Sequence, residues 1–309
     1  MTKQEILQVE GLRKRFKDID AVNNISFSVA EGDVFAFLGP NGAGKTTTIR
    51  ILMDIIHADE GTISWNLKGQ GNGFPLASRL GYLPEERGLY LDLPVINSLI
   101  YLAGIRGMQK PKAKAAAMHW LEKLELADRA NEKLQALSKG NQQKIQFIAS
   151  ILHEPEFVIL DEPFSGFDPI NQEKFIEFIK AINCNGTTVL LSAHQMALVE
   201  RVANKVFLIN DGCELYNGSL PDIYNRFGDR MVLDLAFEDH APVNRISEIE
   251  EVEHVEAVDE KQIKVTFMPG TKMEFILKKL SGFQGITEFS TQKYTLHDIF
   301  LNLVKNHRS

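Results

Sequence analysis

The chain is poor in the residues that would tie it to a metal framework or a membrane. Only two cysteines, Cys184 and Cys213, occur in its 309 residues, too few and too widely spaced for a zinc site or a disulfide scaffold. They read as idle thiols in a reducing compartment. No run of about 18 apolar residues appears, the length a membrane-spanning helix needs, and the opening MTKQEILQVE is too polar for a secretory leader. Positive charge is also short: 34 Lys and Arg against 41 Asp and Glu give a net charge of −7. A broad nucleic-acid-binding face is normally basic, so no nucleic-acid partner is expected. The 44% hydrophobic and 24% charged content is that of a globular chain, long enough for two domains. Its expected place is the cytoplasm.

What is present begins at FAFLGPNGAGKTTTIRIL, residues 35 to 52. Gly39, Gly44, Lys45 and Thr46 fit G-x-x-x-x-G-K-[ST], set between an apolar run suited to a buried parallel strand and a helix expected over residues 45–56. Glycines let successive backbone N–H groups turn toward one point, and the helix N-terminus adds its positive dipole end. The segment Gly39, Pro40, Asn41, Gly42, Ala43, Gly44, Lys45, Thr46 and Thr47 is therefore the candidate cradle for a nucleotide phosphate chain. Lys45 would reach the β- and γ-phosphates, and the Thr46 hydroxyl would hold Mg²⁺.

Three more segments answer to the same phosphate. EFVILDEPFSGFD reads as a buried strand over residues 157–160 that ends in Asp161 and Glu162. Side chains alternate along a strand, so one carboxylate would face the metal and the other an attacking water. Asp161 is the candidate metal support and Glu162 the candidate general base. VLLSAHQ reads as a strand with His194 at its carboxyl end, where parallel α/β sheets bind ligands. In QALSKGNQQKIQFIASIL, Ser138 and Gly140 precede an apolar-faced helix. That helix end is either a capped start packing into the core or a second phosphate-facing N-terminus, serving a nucleotide held by a neighbour.

Together these segments resemble the ATP-binding subunit of an ABC transporter. GPNGAGKT corresponds to the Walker A motif, FVILDEP to Walker B, LSKGNQQ to the signature, SGFD to the D-loop and SAH to the H-loop, in the family's order over about residues 4–225. The resemblance implies a P-loop NTPase α/β core, ATP and Mg²⁺ as cofactors, and ATP hydrolysis. It implies that Phe16, in LRKRFKD, stacks on adenine. It implies that Ser138, Gly140 and Gln142 contact the γ-phosphate of ATP held by the opposite subunit of a head-to-tail homodimer. The other implied partner is a separately encoded transmembrane permease, with this chain peripheral to the inner face of the cell membrane. Lys139 and Asn141 depart from the signature pattern. In LGYLPEERGLY, Glu85 stands where the family's Q-loop glutamine is expected; its carboxylate can still hold Mg²⁺ or the water.

The expected ATP-binding domain covers residues 1–228, with strands at ILQVEGL, ISFSVA, DVFAFL and GTISWN and a helical subdomain at about 87–152. RGLYLDLPVINSL is the candidate permease contact. Residues 229–309 read as a small accessory α+β domain: strands at MVLDLAF, QIKVTF and GITEFS, helices at EFILKKL and TLHDIFLNLV. Thr295 and Asp298 have capping-box spacing. The acidic stretch ISEIEEVEHVEAVDE reads as a solvated face. This region resembles the C-terminal extension of sodium-, drug- and antibiotic-export ATPases, which makes an exporter the expected setting. A soluble mechanical ATPase of the same superfamily is the alternative, though the paired ATPase units or long coiled coils of such proteins are absent from this sequence.

Overall fold

Apolar runs in the first part of the chain resolve into two sheets rather than one. The computed structural model describes residues 3–67, 74, 77–86 and 88–307. Strands β1 (Glu5–Phe16), β2 (Ile19–Ala30) and β4 (Glu60–Trp65) form an antiparallel sheet in the order β2-β1-β4. The fully buried β3 (Val34–Leu38) instead joins β5 (Leu80–Leu83), β6 (Phe157–Asp161), β7 (Thr188–Ala193), β8 (Lys205–Asn210) and β9 (Cys213–Ser219), in the order β5-β6-β7-β3-β8-β9. From β5 through β8 the pairing is parallel. Strands buried on both faces lose the alternation of half-exposed ones, which is why VFAFL and FVILD read as continuous apolar runs. Phe27, Phe35, Phe37 and Phe207 pack ring against ring between the two sheets.

The helix after β3, α1 (Lys45–Leu52), stops at Leu52 rather than Ile56, because Asp54 turns left-handed at φ 56°. Helices α2 (Val95–Ile105), α3 (Lys110–Lys123) and α4 (Lys139–Ile151) share a core of their own around Leu99, Ala117, Leu121 and Ile145. Arg87, where the helical subdomain was expected to begin, lies outside the described residues. Helices α5 (Pro169–Cys184) and α6 (Met196–Val199) follow β6 and β7.

Contacts divide the chain between Gly218 and Ser219, not between residues 228 and 229. The second unit opens with α7 (Leu220–Phe227), which the sequence reading had assigned to the first. It continues as β10 (Met231–Phe237), α8 (Val243–Ser247), β11 (Val252–Ala257), β12 (Gln262–Phe267), α9 (Met273–Leu280), β13 (Ile286–Lys293) and α10 (Leu296–His307). From β10 to β13 this is a βαββαβ unit with sheet order β11-β12-β10-β13, the ferredoxin-like arrangement. Alternate residues Leu233, Leu235, Ile263 and Val265 pack against Ile246, Ile276 and Leu280 of the two crossover helices. Strand β11 lies inside the acidic stretch read as a solvated face. A register shift between Val252 and His254 spaces its half-buried valines three apart, so no alternation shows. At α10 the capping box forms: Thr295 N–H donates to Asp298 Oδ2 at 2.9 Å and Asp298 N–H to Thr295 Oγ1 at 3.2 Å.

One titratable group is built into the first unit's packing. His153, just past α4, has Nε2 3.2 Å from the Leu80 carbonyl, which Arg106 also contacts at 3.0 Å. Burial, and secondarily the Arg106 charge, lowers its pKa from 6.5 to about 4. The unfolded chain therefore takes up this proton near pH 6.5 and the folded one only near pH 4. Stability from this group is complete above the upper value and is lost as pH falls through that window. We expect the urea midpoint to drop between those two pH values and His153→Gln to flatten the drop; an equally steep profile in the variant would contradict the assignment.

Candidate active site

The site begins with close packing at the carboxyl end of β3. A Cβ on Gly39 would lie 2.2 Å from the Ile209 carbonyl oxygen, and one on Gly44 only 2.3 Å from that of Ala21. Gly44 also sits at φ 106° as the residue capping α1, a conformation that side chains resist. The first N–H groups of a helix have no acceptor within it and are free for an anion. A cavity of about 480 Å³ opens here, lined by Asn41, Gly42, Gly44, Lys45, Thr46 and Thr47 together with residues 19–21, Glu85, Glu162 and Asp211. Gly39, Pro40 and Ala43 are not among its lining residues. The buried Lys45 ammonium donates to the Gly39 and Pro40 carbonyls at 2.9 and 3.1 Å.

Asp161, the last residue of β6, is fully buried; its Oδ1 accepts from Ser192 Oγ at 2.5 Å and from Thr46 Oγ1 at 3.4 Å. Glu162 leaves the strand in a left-handed conformation, φ 50°. Strand alternation was expected to separate the two carboxylates, but this turn aims Glu162 instead. Such a conformation costs about 1–3 kcal/mol and persists where surrounding contacts hold it. Here the Glu162 N–H donates to Ser192 Oγ at 2.9 Å, and Glu162 Oε2 lies 2.9 Å from His194 Nδ1. Glu162 Oε1 is 3.5 Å from Lys45 Nζ, close enough for an ion pair but without a hydrogen bond. Thr46 Oγ1 also stands 3.4 Å from Glu85 Oε2. One hydroxyl proton cannot serve both carboxylates, so these two long contacts mark a loosely held gap between them.

Charge in that gap is under strain. Burial raises the Asp161 pKa from 3.8 to about 6; the Ser192 hydrogen bond opposes it, and the Glu85 charge adds to it. Asp161 Oδ2 is buried with no hydrogen-bond partner among the described residues. An unpartnered carboxylate oxygen beside a threonine hydroxyl and a second carboxylate is an all-oxygen donor set, which fits a hard cation such as Mg²⁺. Among the described residues no group of three or more His, Cys, Asp or Glu could hold a metal alone. Thr46 and phosphate oxygens would have to complete the coordination.

Not every expected residue reaches this cleft. Phe16 closes β1, 48% exposed with the Lys14 ammonium 5.4 Å from its ring centre. It does not line the cavity, whereas its cross-strand partner Ile19 does. Ser138 caps α4, its Oγ accepting from Asn141 N–H at 3.3 Å. Ser138, Gly140 and Gln142 all lie outside the cavity. The Gln142 amide is turned back on its own chain, donating to the Leu134 and Leu137 carbonyls at 3.2 and 3.1 Å. The sequence reading passed over Ser192. Its signal was readable, since pairing β6 with β7 in parallel sets Ser192 opposite Asp161.

A parallel sheet with a glycine phosphate cradle, paired carboxylates and a histidine at its strand ends defines a P-loop NTPase. The ABC transporter family matches residues 22–165, and the C-terminal domain of DrrA1-3-like ATP-binding proteins matches residues 218–304. The chain is 36% identical over 305 residues to the ABC transporter ATP-binding protein YhaQ of Bacillus subtilis, covering 97% of this chain and 98% of that one. It is 29% identical over 312 residues to the linearmycin resistance ATP-binding protein LnrL of the same species, covering 96% and 98%. A solved ATP-binding subunit of an ABC transporter superposes with a TM-score of 0.64 at 29% identity, over 72% of this chain and 93% of that one. The fold is shared with the ATP-binding cassette MJ0796, solved as a dimer bound to ADP and Pi, with a TM-score of 0.63 at 20% identity over 70% and 99%. The chain belongs to the ABC transporter ATP-binding proteins, as an ATPase with a DrrA-like C-terminal domain.

The geometry at Gly44 gives a direct test. We expect Gly44→Ala to lower unfolding free energy by roughly 2 kcal/mol or more, through forced backbone strain and a carbonyl clash. Urea denaturation with unchanged stability would contradict the close approach described above.

Proposed function

We propose that the chain is the ATP-hydrolysing subunit of an ABC exporter, working as a homodimer with a separately encoded transmembrane permease at the cytoplasmic face of the membrane. The observation that carries this reading is the split between two half-sites. Lys45, Thr46, Asp161, Glu162 and His194 converge on one cleft, while the capped end of α4 at Ser138 lies outside it. At Gly140 a Cβ would meet its own chain no closer than 3.6 Å, so packing within the chain does not require the glycine. A glycine there costs helix stability, by about 1 kcal/mol relative to alanine. Close approach of a second subunit's ATP accounts for it.

Within the cleft, Lys45 neutralises phosphate charge while the Gly44-capped helix end binds phosphate oxygens. Thr46, Asp161 and Glu85 would hold Mg²⁺, which when bound offsets the charge of the β- and γ-phosphates. Glu162 acts as general base: Oε1, free of hydrogen bonds, takes the proton from water, and His194 fixes the carboxylate through Oε2. The exporter setting rests on the DrrA-like C-terminal match and the resistance function in LnrL's name. The dimer is supported by MJ0796, seen as a dimer with hydrolysis products. No helix among the described residues is long and apolar enough to cross a membrane; in this reading a separate permease supplies the path. Tyr90, Leu91, Leu93 and Tyr101 expose apolar surface beside buried Val95 and Leu99, and this surface supports the proposed permease contact.

Glu162→Gln keeps the size of the side chain and removes the base. Hydrolysis should fall roughly 100-fold or more, while light scattering in saturating ATP should show a stable dimer. A monomer under those conditions, or turnover at the wild-type rate, would overturn the reading.

A further inference from the structure

One buried side chain lies outside every role assigned so far. Gln146, in the middle of α4, is 3% exposed. Its amide nitrogen lies 3.1 Å from the Glu86 carbonyl and 3.4 Å from that of Pro84, the two residues flanking Glu85. Its Oε1 is buried and has no hydrogen-bond partner among the described residues. A polar side chain held in a core with half of its amide unsatisfied is costly, by about 1–3 kcal/mol for the unmade bond. A methionine of similar length would avoid that cost. What the glutamine contributes is the pair of donors, which fix the backbone on both sides of Glu85.

We infer that Gln146 is a positioning residue for the metal end of the site. By gripping the carbonyls on either side of Glu85, it holds that carboxylate beside Thr46 and Asp161. Because α4 also begins at Ser138, the helix that presents the signature and the loop that presents Glu85 are fastened together at this amide. The inference rests on the proposed metal role of Thr46, Asp161 and Glu85. Outer-shell contacts of this kind tune metal affinity without touching the ion.

The test uses the full chain with a non-hydrolysable ATP analogue and Mn²⁺ as the probe, free Mn²⁺ being read by its paramagnetic resonance signal. Gln146→Met, with Gln146→Leu as a second variant, should weaken Mn²⁺ affinity roughly tenfold. ATP-analogue affinity in EDTA and the thermal midpoint should stay near wild type, since the phosphate cradle is untouched and an unsatisfied amide oxygen has been removed. Unchanged Mn²⁺ affinity would overturn the proposal. A general loss of stability and analogue binding in both variants would also overturn it, because the role would then be structural. Glu85→Ala serves as the control. If it weakens Mn²⁺ binding and the Gln146 variants do not, only this inference fails; if it too has no effect, the metal role of Glu85 fails with it. In the Glu85→Ala background, Gln146→Met should add no further loss, and an additive loss counts against the proposal.

Discussion

Negative charge without enough counter-charge, gathered around one fully buried carboxylate, is the constraint on which the first unit's cleft depends. Three parallel strands end at one place, and their carboxyl ends bring Asp161, Glu162 and, through the adjoining loop, Glu85 toward a single cleft. The Lys45 ammonium lies 3.5 Å from Glu162 there. Burial pushes Asp161 toward its protonated form, and a cation beside the carboxylate would favour the ionised form. A triphosphate brings more negative charge and therefore demands a cation with it.

The hydroxyl of Ser192 shows how the scaffold manages that charge. It donates to Asp161 and accepts from the Glu162 backbone, so one side chain on β7 holds both the buried carboxylate and the turn that aims Glu162. A neighbouring link runs from the segment before α5 to the end of β7: Gln172 donates to the Phe167 carbonyl and to Gln195, next to His194. The cleft is therefore kept in shape by neutral amides and hydroxyls. These orient charged groups without adding charge of their own.

Most of the residues that meet in the cleft were legible in the sequence because a phosphate-binding loop has a fixed spacing and the buried sheet sets its flanks. GPNGAGKT between an apolar run and a helix, and two carboxylates after FVIL, leave little freedom. What escaped reading was set by contacts distant in sequence. The early end of α1 depends on a left-handed Asp54, and the direction of Glu162 on a left-handed turn held by Ser192 from another strand. Strand β11 was missed because a register shift erased its alternation and its charges resemble a loop. The domain boundary moved because Ser219 starts a helix immediately after a strand, with no linker composition to announce it.

That start has its own consequence. Ser219 Oγ accepts from Asp222 N–H at 3.1 Å and donates to the Asp222 carboxylate at 2.6 Å. The first helix of the second unit is therefore initiated by local groups, at a serine that is both the last residue of β9 and the helix cap. A crossover in the coding sequence at the Gly218–Ser219 bond would sever no helix and would take only the last residue of β9 with the second unit. The same catalytic engine could acquire or shed its ferredoxin-like appendage by recombination, with each piece bringing its own instructions for folding.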